Sequence, residues 1–389
     1  MTREAAWVGN PSNFVTKHIQ GLVSQRLAGS AVNLEKAIFA LEYVAQLKDA
    51  GLDFVFKGGS AVQILLGDKW NRLSIDVDIC TDASEKTLTM ALDAVKKRFD
   101  DKGFTYVMRG KEILGTVPFL SFRVTTPPIT DKGRVILLDA MGLKQHFATQ
   151  STPLKSFYYD STVSVMTPTV GAILGDKLST IGPNTVGRAM RDSRNGLEYA
   201  KHFYDINVLS HAEPNFGECR DAYMESLGIQ SKVRGIDFSL NECIDDAVFT
   251  CQVASLPQTQ RPGLMEKLEP ERKVRAQTEH DILKKGLRGF QPFLVRSISY
   301  SWENLREYAS RTALLLKATS MKLPSKIMGK ILSEAPPTSK AEIQTLMDDI
   351  HSLQLPEEQL WFIEAEEVLN FPQVLKPWHS YFTLEKNNL

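Results

Sequence analysis

The stretch FVFKGGSAVQILLGDKWNRLSIDVDICTD, residues 54–82, limits what this chain can become more than any other segment. An apolar run ends at Lys57 and is followed at once by Gly58, Gly59 and Ser60, which open a helix-like segment. A second apolar run carries Asp76 and Asp78, two residues apart. Residues i and i+2 of a strand share a face, so both aspartates are predicted to project together while Ile75, Val77 and Ile79 face a core. Neighbouring carboxylates repel and raise one another's pKa unless a cation lies between them. A hard divalent ion such as Mg²⁺ (or Mn²⁺) meets that need. The two glycines permit a tight turn, and a helix N-terminus presents N–H groups and a positive dipole end to phosphate. Each feature alone also has a plain structural explanation: a strand-end cap for the D-x-D, a β–α connection for the G-G-S. A third acid, Asp139 in RVILLDAM, interrupts another apolar strand-like run. A buried aspartate needs a partner, and either a shared metal or a salt bridge would supply one.

The rest of the chain places these features. At 389 residues, two domains are expected. Lys+Arg and Asp+Glu are both 46, so any nucleic-acid contact must come from a local patch and not from a global field. No apolar run approaches membrane-spanning length, and the N-terminal stretch lacks a signal-peptide core. Four scattered cysteines without C-x-x-C spacing read as reduced thiols of a cytoplasmic protein. Helical spacing predicts a helix from Asn33, its cap, to Asp49, and another over SEKTLTMALDAVKKRFDDKG. LDFVFK, LSIDVDIC, TVPFLSFRVTT, RVILLDAM and STVSVMT read as strands. Beyond Pro168 the periodicity turns helical. Ser339 and Glu342 have capping-box spacing, and Pro356 suits the first turn of a helix over PEEQLWFIEAEEVLNF. The predicted class is α+β: a mixed sheet with helices in a lobe of residues 1–165, then an all-helical lobe of residues 166–389.

KGGSA at 57–61 followed by RLSIDVDI at 72–79, an R-x-S-x-D-x-D pattern, resembles the first motif of the AbiEii/MenT nucleotidyltransferase-like toxins, within the nucleotidyltransferase superfamily. The resemblance runs over roughly residues 35–210 and implies a metal-dependent enzyme. Such an enzyme moves a nucleotide from an NTP to an acceptor hydroxyl, most plausibly the 3′ end of tRNA, as the toxin of a toxin–antitoxin or abortive-infection phage-defence system. It implies a cognate antitoxin encoded nearby. By the same resemblance Asp76, Asp78 and Asp139 hold Mg²⁺ or Mn²⁺, and Lys57, Gly58, Gly59, Ser60 and Arg72 take the nucleotide. Lys177 in ILGDKLSTIG reaches the triphosphate as a point charge. Asp205 in AKHFYDINVL orients that lysine or the base. Read without the resemblance, Lys177 is a solvent-facing helix lysine and Asp205 a helix–helix salt-bridge partner. Two differences from the family pattern stand out: His202 occupies its acidic position after Lys201, and the connection from Ser60 to Asp76, with Trp70 in it, is long.

Other signals are weaker. GAILGDKLS lacks the glycine before lysine and the hydroxyl after it that a P-loop requires. The charged stretch 266–289 reads first as a solvated helix face. Arg188, Arg191 and Arg194, stepping by three, are the better candidates for a phosphate-binding helix face. The same chemistry aimed at a protein or small molecule, or a non-catalytic nucleotide-binding module, are the alternative functions.

Overall fold

The computed structural model describes residues 6–25, 30–99, 103–114, 117–259, 263–363 and 371–386. The chain forms two compact units. The first comprises Met1–Ile173 with two short returns, Lys232–Gly235 and Gln291–Ser299; the second comprises Leu174–Ser231, Ile236–Phe290 and Tyr300–Leu389. The first unit thus runs past the division at 165/166 drawn from the sequence.

The first unit is built on a mixed seven-stranded sheet. Its strands are β1 (Val55–Lys57), β2 (Val77–Thr81), β3 (Thr105–Leu114), β4 (Val117–Thr125), β5 (Val135–Gly142), β6 (Thr149–Pro153) and β7 (Ser164–Pro168). They lie in the order β3-β4-β5-β2-β1-β7-β6. The pairs β2–β5 and β1–β7 are parallel, and the remaining neighbours are antiparallel. Helices α1 (Thr16–Ser24), α2 (Ala31–Asp49), α3 (Gly58–Leu66) and α4 (Glu85–Arg98) accompany the sheet. α2 is buried round most of its circumference, the pattern of a helix inside a core and not on its surface. Phe39 and Tyr43 of α2 join Trp7, Phe14, Phe99 and Phe104 in one aromatic cluster. The helix starts earlier than the sequence predicts, because Ser30 and not Asn33 is the cap, its hydroxyl accepting from the Asn33 N–H at 3.2 Å.

Two strands escape sequence reading for a physical reason. β3 and β6 are the sheet edges, where charged residues and proline protect an exposed ladder and spoil the apolar alternation. β3 carries Arg109, Lys111 and Glu112 and shifts register between Met108 and Gly110. β6 reads TQSTP. β2 is shorter than predicted: it begins at Val77, so Asp76 lies one residue before it.

Among the described residues no strand follows Pro168. The helices there are α5 (Val170–Leu178), α6 (Ser193–Ser210), α7 (Phe216–Arg234), α8 (Leu240–Ser255), α9 (Pro270–Leu287), α10 (Trp302–Ser320), α11 (Ser325–Ser333), α12 (Lys340–Ser352), α13 (Glu357–Leu360) and α14 (Pro372–Lys386). This is the α+β layout, mixed sheet first and helices after, that the sequence predicts. In the second unit α6 packs on α9 and α10, and α10 on α8 and α14. The Ser339–Glu342 capping box opens α12 as expected. Pro356 caps α13 from just outside the helix; of the longer helix predicted there, residues 364–370 lie outside the described residues.

One buried ion pair ties α2 to the turn between β4 and β5. Glu35 is fully buried and accepts from Arg134 Nε at 2.8 Å, Thr130 Oγ1 at 2.8 Å and the Ile129 N–H at 3.0 Å. Removing the cation strands a buried carboxylate, which costs about 3–5 kcal/mol. Arg134→Met is therefore expected to lower the first urea-unfolding transition by about 3 kcal/mol. A change below about 1 kcal/mol would show that the pair is no strut.

Candidate active site

β1 delivers Lys57 in extended conformation directly to the first residue of α3. Gly58 sits at φ +69°, a left-handed conformation that side chains other than glycine's adopt with strain. A Cβ at Gly58 would also lie 1.9 Å from Oδ2 of Asp78, and one at Gly59 would lie 2.6 Å from Nη2 of Arg72 and 2.7 Å from Oγ of Ser74. The two glycines therefore make room for the D-x-D strand and its approach loop as well as for the turn itself. Among the described residues no side-chain hydrogen bond caps α3, and the first N–H groups of a helix lack intrahelical partners, which is the arrangement that receives an anion. Ser60, fully buried, donates its hydroxyl to the Asp76 carbonyl at 2.7 Å and so fixes the chain as it enters β2.

Sheet register assembles the rest. Lys57 stands opposite Asp78, Asp78 beside Asp139, and Asp139 opposite Ser121. One row across β1, β2, β5 and β4 thus reads lysine, aspartate, aspartate, serine on a single face, at about 4.8 Å per strand. Asp76, Asp78 and Asp139 are all half-buried. Ser121 donates to Asp139 Oδ1 at 2.6 Å, and Lys57 Nζ lies 5.3 Å from the centre of the Phe147 ring. Arg72 is buried, stacked 4.8 Å over Trp70, with Nη1 donating to the Leu73 carbonyl at 3.1 Å.

Does this donor set fit a divalent cation? Among the described residues no three His, Cys, Asp or Glu side chains form a ready-made metal cluster. Mg²⁺, however, is commonly held by one or two carboxylates together with substrate phosphates and water. Adjacent all-oxygen donors at Asp78 and Asp139, beside a backbone cradle that a Cβ at Gly58 would fill, fit that mode.

The remaining residues singled out from sequence lie in the second unit. Lys177 on α5 is 7% exposed and its Nζ is 3.0 Å from Oδ2 of the fully buried Asp205 on α6. Lys177 is thus a buried, paired cation and not a solvent-facing one. His202 lies one turn before Asp205, buried, with Nδ1 lacking a hydrogen-bond partner among the described residues. Burial first, and the Lys177 charge second, push its pKa down to about 3. Glu198 pairs with Lys201 at 2.9 Å. Burial opposes its ionisation, but the Lys201 charge and hydrogen bond help hold its carboxyl below the usual range. The three arginines do not share a helical face. α6 starts at Ser193, after Arg188 and Arg191, and Arg194 bonds to the cap residue Asp192 at 3.0 Å. Ser121 is the residue that sequence reading missed; a lone hydroxyl inside the apolar run FLSFRV was its signal.

These residues define a class. Residues 40–286, more than half the chain, match the family described as Nucleotidyl transferase AbiEii toxin, Type IV TA system. The chain belongs to that family: nucleotidyltransferase toxins of type IV toxin–antitoxin systems. A crystal structure of a candidate nucleotidyltransferase from H. pylori is similar at TM-score 0.27 and 17% identity, over 65% of this chain and 96% of that one. No curated protein matches. No helix among the described residues is long and apolar enough to cross a membrane.

Two outcomes follow from the geometry. Gly58→Ala is expected to lower nucleotide transfer by about 100-fold, because a displacement of about 1 Å at a reacting centre costs that much; wild-type rates would refute the close approach to Asp78. His202 protonates at pH 6.5 when unfolded but near pH 3 when folded. Its contribution to stability is full above pH 6.5 and is lost as pH falls towards 3, at about 1.4 kcal/mol per unit. His202→Gln should flatten the acid limb of the stability profile between pH 6 and about 4; an unchanged slope would place His202 in solvent.

Proposed function

We propose that the protein transfers a nucleotide from an NTP to an acceptor hydroxyl, with tRNA 3′ ends as the acceptor, and thereby blocks translation as the toxin of its pair. The observation that carries this reading is the Lys57–Asp78–Asp139–Ser121 row abutting the Gly58 turn. In this account Asp78 and Asp139 would hold Mg²⁺ or Mn²⁺ together with substrate phosphate, and Asp76 lies one residue before β2. The bound ion would neutralise charge developing on the phosphates. Lys57, Gly58, Gly59, Ser60 and Arg72 line the triphosphate side, with α3's N-terminal N–H groups as donors.

The acceptor oxygen forms a bond to the α-phosphorus, the bond from that phosphorus to the bridging oxygen breaks, and pyrophosphate leaves. We assign the hydroxyl proton to Asp139, whose Oδ1 is already oriented by Ser121. Within the second unit Asp205, 3.0 Å from Lys177 Nζ, holds that lysine in a fixed rotamer. The reaction belongs in the cytoplasm, where NTPs and tRNA meet, and the type IV family supports an antitoxin partner.

The test is incubation of the full chain with each labelled NTP, Mg²⁺ and total RNA or lysate. Label is expected in tRNA, and Asp78→Asn should lower its transfer by at least about 1,000-fold through loss of a charged metal ligand. Growth arrest on expression should vanish with the same substitution. Label in protein or a small molecule would redirect the acceptor. No label from any NTP, with growth arrest intact in Asp78→Asn, would overturn the catalytic reading.

A further inference from the structure

The connection from α3 to β2 is long and irregular, yet Trp70, Arg72 and Leu73 within it are 2%, 4% and 0% exposed. Buried irregular backbone must find hydrogen-bond partners, and here they come from far along the chain. The Leu73 N–H donates to the Phe293 carbonyl at 2.7 Å, and the Val295 N–H donates to the Asn71 carbonyl at 3.0 Å. Arg72 and Leu294 form an isolated antiparallel bridge between these two bonds. Segment Gln291–Ser299 therefore lies as a strap along the approach to Asp76, within the first unit. Residues 291–299 follow the stretch that matches the family, which ends at 286.

Arg296 fastens the strap. Its guanidinium donates to the Asp68 carbonyl oxygen and carboxylate, reaches Asn71 Oδ1 at 3.1 Å, and lies 5.1 Å over the Phe157 ring. The Asp68 carboxylate is 90% exposed, so that ion pair alone adds little. The hold comes from the combination of backbone bridge, Asn71 and ring. Arg296 and Ser297 both sit at φ +56°, a left-handed pair that surrounding contacts must fix in place.

From the bridge the constraint passes directly to the site. Arg72 is set against Gly59 beside Ser74, Ser74 N–H donates to Gln63 Oε1 at 3.3 Å, and Ser60 holds the Asp76 carbonyl. We propose that Arg296, through the strap, is a positioning residue for Arg72 and Asp76 and so sets the affinity of the site for nucleotide and metal. This rests on the transferase reading above. It adds a requirement for a segment outside the matched family region.

The test uses the full chain as wild type, Arg296→Ala, Arg296→Lys and Asp68→Asn. Amide exchange at Leu73 and Val295 reads the bridge, Mn²⁺ titration reads the carboxylates, and KM against kcat reads the nucleotide. In Arg296→Ala, exchange at both amides is expected to rise about tenfold while α10 amides stay protected, and Mn²⁺ affinity should fall by a similar factor. KM for the NTP should rise more than kcat falls, and Arg296→Lys should recover part of each effect. Should Arg296→Ala fail to fold, Arg296→Lys, which loses the fork to Asp68 and Asn71, should show the same shifts in smaller measure, while Asp68→Asn, whose exposed ion pair adds little, should stay near wild type. Exchange that rises with Mn²⁺ affinity and KM unchanged would overturn the proposal, as would unchanged exchange. If no variant transfers any nucleotide, the transferase reading fails, but exchange and Mn²⁺ binding still decide the strap.

Discussion

Because β2 and β5 run parallel and in register, Asp78 and Asp139 stand side by side on one face, at about 4.8 Å between strands. Carboxylates on adjacent strands repel one another unless a neutralising charge lies close by. The surroundings answer this constraint. Lys57 flanks the pair in register on one side and Ser121 on the other, while Gly58 withdraws its Cβ so that Asp78 can lie against the backbone. Opposite that face, Val77, Ile79, Ile136, Leu138 and Ala140 are buried. That apolar face sets the register, since a one-residue slip would exchange acids for core.

Much of this was legible in the residues themselves. The apolar alternation of β2 and β5 gives away both strands, and the aspartates stand out because they break it. The helices after Pro168 announce themselves through caps such as the Ser339–Glu342 box. The edge strands were not legible, because charge and proline at an edge serve solubility and not the core. The resemblance grouped Asp139 with Asp76 and Asp78, but their register was not legible, since pairing between strands some sixty residues apart is settled by packing. Ser121 showed only as a lone hydroxyl in an apolar run, and its place opposite Asp139 was hidden for the same reason. The strap was least legible of all: its partners lie more than two hundred residues apart, and PFLVRS offers neither a regular strand nor a cap.

The second unit carries its own constraint. Lys177 and Asp205 are buried together, and a buried cation is tolerated only with such a partner. The neutral His202 beside them adds no second positive charge. Where the family pattern has an acid, this chain has that histidine, and Glu198, one turn earlier on α6, supplies the nearby carboxylate for Lys201.

The most direct measurement is anomalous diffraction from crystals grown with Mn²⁺ and a non-hydrolysable NTP analogue. A manganese peak bounded by the carboxylates of Asp78 and Asp139, with the triphosphate against the N-terminus of α3, is the expected result. Full nucleotide occupancy elsewhere, with no manganese at that carboxylate pair, would contradict the account.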